Sequence, residues 1–179
     1  MANGSAGLWD YSLKAFRTDG VAPSLIALQD RAGAHVNLLL FCCWAASEGI
    51  AIDPKLLRAA KENAGAWQSE IVEPLRALRR RLKGGFNGFP AEEVEALRKQ
   101  INGLEIEGER IEQGRLAALA LGRPRASVDA RLAVAGLARY FVELGRRPTD
   151  DDVNDLRNVV TKLFPDADLS TLSADDFAP

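Results

Sequence analysis

The chain has 179 residues, of which 47% are hydrophobic and 27% charged, and a formal net charge of −2. That length suits one domain with a sizeable core, and that composition is typical of a globular fold rather than a disordered or collagen-like chain. The small net charge argues against indiscriminate polyanion binding, and the start "MANGSAGLWDYSLKAF" lacks the basic and apolar regions of a signal peptide.

Helical patterns dominate from the start. "GLWDYSLKAFRTDG" puts Leu8, Tyr11, Ser12 and Ala15 on one side, with Phe16 adjoining, and predicts a short amphipathic helix ending at Gly20. "APSLIALQDRAG" carries Pro23 near its first turn and Gly33 as a C-cap, which predicts a second. The third, "AHVNLLLFCCWAASEG", is apolar on nearly every side from Leu38 to Ala46, so the other helices should surround it. That run is about half a membrane span, and no membrane association is expected.

The same stretch holds the only histidine and both cysteines. Cys42 and Cys43 diverge by about 100° on a helix and cannot bridge each other there. Reduced thiols and a cytoplasmic address follow. His35 and Cys42 share a face but lie about 10 Å apart along the axis, too far for one zinc with ligand bonds near 2.0–2.3 Å. The same separation rules out a Cys–His nucleophile. The cysteines read as core residues, with no metal and no cofactor.

"DPKLLRAAKENAG" opens with Asp53 as N-cap and Pro54 at the first helical position. A further helix from Trp67 to Lys83 spaces Ile71, Leu75, Leu78 and Leu82 as a narrow seam, with a kink or fresh start expected at Pro74. After "GGFNGFP", a helix from Ala91 carries Val94, Leu97, Ile101, Leu104, Gly108 and Ile111 at spacings of 3 and 4. A short turn between two seams predicts an antiparallel hairpin over residues 67–121, with Leu75, Leu78 and Leu82 meeting Val94, Leu97 and Ile101. Beyond "GRPRAS", Ser127 is the expected N-cap of a buried helix, and "TDDDVNDLRNVVTKLF" forms the last one. The acidic tail 166–179 is weakly patterned and expected to lack structure.

Two groups of polar residues are candidates for function. Asp10, Asp30, Arg31, His35 and Asn37 interrupt otherwise apolar helices. They suit a structural network, or alternatively a pocket in which Asp10 or Asp30 orients His35 as a general base. The second group is "RALRRRLKGG", with Arg76, Arg79, Arg80, Arg81 and Lys83. Residues 51–85 hold eight basic against four acidic residues, while 147–179 hold three against eight. Clustered arginines suit phosphate, but no aromatic interleaving or RNA-binding signature accompanies them, so a nucleic-acid partner is disfavoured. Phe86 and Phe89 in the Gly-rich turn suggest an exposed apolar contact.

Over residues 8–83, the Leu-Trp-Asp opening, the Leu-Gln-Asp and Val-Asn-Leu-Leu-Leu runs and the Val-Glu-Pro-Leu-Arg segment resemble a family of short bacterial proteins known only as a domain of unknown function. The resemblance implies an all-helical fold and brings no activity, cofactor or catalytic residue.

These observations predict an all-α, single-domain bundle over residues 1–165 with a protruding antiparallel helical hairpin. The function expected is a non-enzymatic protein-interaction or assembly factor, with Phe86, Phe89 and the basic segment meeting a protein partner and self-association left open. The alternatives are an enzyme or small-ligand-binding protein using Asp10, Asp30, His35 and Asn37, and nucleic-acid binding through residues 76–83.

Overall fold

The computed structural model describes residues 7–169 and 174–177, and among these the regular elements are helices, without a strand. Two helices open the chain: α1 (Leu8–Arg17) and α2 (Val21–Ala32). Gly33 closes α2 in the left-handed conformation its sequence position suggests. Then α3 (Val36–Ser47) runs through the middle of the fold, with every residue from Asn37 to Ala46 buried.

Cys42 and Cys43 are fully buried on α3, and burial pushes both thiols up, Cys43 to about 12. They stay protonated and pack as small core groups. Opposite them, α7 (Ala130–Glu143) crosses closely because Gly136 has no side chain; a methyl there would sit 3.3 Å from the Cys42 Cβ.

The helix α4 (Pro54–Trp67) starts as expected, with Asp53 accepting from the Leu56 N–H at 2.6 Å. It does not stop near Gly65. The chain passes through a π turn, Gln68–Val72, into α5 (Glu73–Arg81). The kink or restart expected at Pro74 is absorbed there. Proline supplies no N–H and crowds the preceding turn, and the wider turn accommodates it, with the Glu73 N–H reaching Gln68 O.

One unbroken helix, α6 (Ala91–Leu119), then runs about 44 Å. Gly108 gives it a close crossing with the π turn. A Cβ there would meet Val72 at 3.4 Å, and the Trp67 indole N–H donates to Gly108 O at 2.9 Å. The buried stripe of α6 is Ile101, Glu105, Gly108, Glu112 and Leu116, so the expected seam is rotated: Leu104 and Ile111 face outward. Between α5 and α6, a small apolar cluster joins Leu82, Val94 and Ile101, with Leu75 against it. Leu78 and Leu97, expected in that seam, are about half exposed. The orientation of α5 is set instead by Arg76 and Arg79, which reach Glu105 on α6.

Asp129, rather than Ser127, caps α7. The final helix, α8 (Asp150–Leu163), begins with a reciprocal capping box between Thr149 and Asp152. It packs against α2, where Arg31 binds Asp152 at 2.8 Å and Asp155 at 2.6 Å, and Asn158 donates to Gly20 O and Ser24 Oγ. Parts of the tail expected to lack structure, 170–173 and 178–179, lie outside the described residues. Over Ala174–Phe177 that expectation is corrected: the segment makes a 3-10 turn that buries Phe177 in the main core. One aromatic ring supplies more apolar area than the acidic pattern around it suggests.

Candidate functional site

Four residues of α1, Trp9, Ser12, Leu13 and Phe16, follow a helical 3-1-3 spacing and so share one face. That face forms one side of a cleft of about 490 Å³, closed by α2, the start of α3, α5 and α6. Leu13, Phe16, Ile26 and Ile106, all on its walls, are 38–49% exposed. Four large apolar side chains on one concavity contrast with the scattered exposed residues common on monomers.

The floor is polar and buried. Gln113 Nε2 donates to Asn37 Oδ1 at 2.7 Å, with both residues more than nine-tenths buried. Ser12 and Gln113 both line the cleft, but Ser12 Oγ and Gln113 Oε1 are themselves buried and have no protein hydrogen-bond partner. His35 is the N-cap of α3, and its backbone N–H donates to the Tyr140 hydroxyl at 2.7 Å. Burial pushes that phenol up to about 12, so it remains a neutral group. The His35 imidazole Nε2 lies 3.1 Å from Glu112 Oε1, an ion-pair distance that is not directed as a hydrogen bond. Glu112 lines a second cavity, of about 300 Å³, with Trp67 and Arg115.

On the α5 side, the arginines are held by carboxylates. Glu105 accepts from Arg76 at 2.9 Å and from Arg79 at 2.5 Å, and Glu109 accepts from Arg76 at 2.7 Å. Burial alone would raise Glu105, but the bonds from Arg79 and Arg76 outweigh it and hold the carboxyl below its ordinary range. Burial wins at Glu109, which is raised despite Arg76. Two neighbouring carboxylates on one helix are thus pushed apart in acidity.

Of the polar group singled out on the first three helices, the cleft gathers Asp30, His35 and Asn37. Asp10 is exposed and does not line it, and Arg31 turns away to α8. The carboxylate beside His35 is Glu112, from a helix far along the chain. Its signal was present: Glu105 and Glu112 stand at helical spacing within the buried stripe of α6, where an apolar residue would ordinarily sit.

A family model described as a protein of unknown function (DUF2390) matches residues 7–116. The chain belongs to this family. No curated protein and no solved structure matches the chain. The family segment takes in α1 to α5 and nearly all of α6, and so every residue lining the 490 Å³ cleft. The resemblance over residues 8–83 lies wholly within it.

Within the family segment, the basic residues divide. Arg76 and Arg79 are partly buried against Glu105, while Arg80, Arg81 and Lys83 face outward, with Arg80 on the cleft rim. In the Gly-rich turn, Phe86 is 41% and Phe89 64% exposed. Their rings meet edge to face at 5.5 Å, and the Arg81 guanidinium sits 4.6 Å above Phe86. Among the described residues, no group of three or more His, Cys, Asp or Glu is arranged to hold a metal ion, and no helix is long and apolar enough to cross a membrane.

Proposed function

We propose that this chain is a ligand-binding protein whose cleft takes a small molecule with an apolar body and a polar head. The observation that carries this reading is a concavity in which exposed apolar walls, Leu13, Phe16, Ile26 and Ile106, stand beside polar lining residues that include Gln29, Asp30 and Asn37. Ligand sites combine these features: a concave, mostly apolar lining with a few placed polar groups. The two buried thiols suit a reducing, cytoplasmic setting.

Equilibrium dialysis of the full chain against a small-molecule extract, read by mass spectrometry, tests this. One compound class should be retained by the wild type and lost on Ile26→Arg with Ile106→Arg. Both positions are surface-exposed, so the charges fill the mouth without opening the core. Retention unchanged in the double variant, or no retention at all, overturns the cleft reading.

A second reading, a protein-interaction or assembly factor, is favoured by Phe86 and Phe89, which the fold leaves exposed beside Arg81. Phe86→Ala with Phe89→Ala should shift the melting temperature by less than about 3 °C, since no core is lost. The same change should remove a protein recovered with the wild-type chain; recovery unaffected by it refutes a contact at this turn.

A further inference from the structure

The α5–α6 pair turns one side to the cleft, through Arg79 and Arg80 on α5 and Glu105, Ile106 and Glu109 on α6. Five large apolar residues occupy its other side: Ile71 and Leu78, with Leu97, Leu104 and Ile111 on α6, all 39–58% exposed. None of them lines the cleft. The two rows adjoin, since a Cβ on Gly108 would stand 4.0 Å from the Ile71 Cγ2, and Gly108 lies between Leu104 and Ile111.

Both rows repeat at seven residues. On a straight helix such a row drifts by about 20° per repeat, the path that a partner helix crossing at about 20° follows. Gly103 and Gly114 flank the α6 row, with nothing within 4 Å of where a Cβ would stand. Glycine is a poor residue for a helix interior, and nothing inside the chain calls for it at either place. A second backbone packed closely on α6 does.

Charge identifies what covers this face. Arg76 bonds Glu105, so residue 76 of α5 stands level with the middle of the α6 row at Leu104. Glu70 and Arg81 lie six residues before that level and five after it, and Glu93 and Arg115 lie eleven on either side of Leu104. All four are exposed, and none enters an ion pair among the described residues. Glu107 and Arg110, on the same side, already satisfy each other at 2.5 Å. A two-fold axis across the pair at Leu104 lays an antiparallel copy on the face. It sets Leu97 on the copy's Ile111, Glu93 on its Arg115 and Glu70 on its Arg81. Acid and base placed symmetrically about one level suit an isologous contact; a partner of another sequence has no need of that symmetry.

We infer that this face of the α5–α6 pair binds a second copy of the chain, the two pairs antiparallel in a four-helix bundle. From Glu93 to Arg115 the face is about 33 Å long and two helix diameters wide, roughly 650 Å² per copy and at the low end of specific interfaces. Association in the micromolar range is expected, and it does not depend on what the cleft binds.

Sedimentation equilibrium of the full-length chain, from about 1 to about 200 µM in about 0.15 M salt, tests the inference. It should show a reversible monomer–dimer equilibrium. Leu104→Glu should weaken the dimer by about tenfold or more, because it puts a charge at the apolar centre. Its melting temperature, taken where both proteins are monomeric, should match the wild type, as the position is on the surface. Glu70→Arg and Arg81→Glu should each weaken the dimer, and the two together should restore it. Within one chain these positions are about 16 Å apart, so the recovery arises between copies. Monomer at every concentration overturns the inference, as does a dimer unaffected by Leu104→Glu or one that the double exchange fails to restore. A dimer lost on Phe86→Ala with Phe89→Ala, but kept by Leu104→Glu, moves the contact to the Gly-rich turn and refutes this face.

Discussion

Asp152 is fully buried at the start of α8, between Arg31 and Arg146, which reach it at 2.8 and 2.7 Å. Burial alone would raise its pKa, but bonds from the Thr149 N–H and the arginines hold it below the ordinary carboxylate range. The fold therefore favours the charged form. The stability it adds is present above the unfolded value near 3.9 and is lost as pH falls through that value to the lower folded one. Asp152→Asn should cost about 2 kcal/mol at pH 7 in a urea melt, with the difference from wild type shrinking below about pH 4. Glu112 stands at the opposite extreme: both its oxygens are buried without a hydrogen bond, and Oε1 lies 3.1 Å from His35 Nε2. Glu112→Gln should leave stability unchanged or raise it by about 1 kcal/mol, because the substitution breaks no hydrogen bond of either carboxyl oxygen. A clear fall in the urea midpoint would show instead that the contact with His35 is net stabilising. Gly49 is fixed by geometry alone. Its φ is +69°, and a Cβ there would lie 2.1 Å from Ala126 O, whose own N–H bonds back to Gly49 O. Gly49→Ala should cost at least about 2 kcal/mol in the same measurement.

At the scale of elements, Glu105 on α6 is what holds α5 by charge, since it takes up both Arg76 and Arg79. Glu105→Ala leaves two partly buried guanidinium groups without it and should cost about 2 kcal/mol, with faster amide exchange concentrated in α5. Exchange unchanged in α5 would mean that the Leu75–Leu82 contacts suffice. Much of this architecture was legible in the sequence. Asp53-Pro54 and Gly33 mark helix ends through local chemistry, and the continuous apolar run from Leu38 to Ala46 marks the central helix. What local pattern could not convey was the rotation of α6. Leu104 and Ile111 obey the apolar spacing and yet face outward, because Glu105 and Glu112 take the inward positions against Arg76 and Arg79 of α5 and His35 at the start of α3. The candidate site was half legible for the same reason. His35 and Asn37 stood out as polar residues at the edge of an apolar run, but their partners Glu112 and Gln113 are 77 and 76 residues away.

At the scale of the whole molecule, the family segment contains every residue lining the cleft, but not what braces it. Ile26 and Asp30 line the cleft from α2, while Arg31, next along the same helix, is anchored to α8. Phe177 seals the core against α7, and Phe177→Ala should cost about 3 kcal/mol by thermal melt, as for other deletions of a fully buried ring. The clasp between α2 and α8 also bears on how fast the molecule assembles. Arg31 and Asp152 are 121 residues apart along the chain, so a very large loop must close before their bond can form. Such a contact raises the mean sequence separation and slows the approach to the native state relative to a bundle of neighbouring hairpins. If the clasp forms after the folding barrier, Arg31→Ala leaves the refolding rate nearly unchanged in stopped-flow and accelerates unfolding. The α2 wall of the cleft would then be among the last parts of the fold to be fixed, and among the first to come loose.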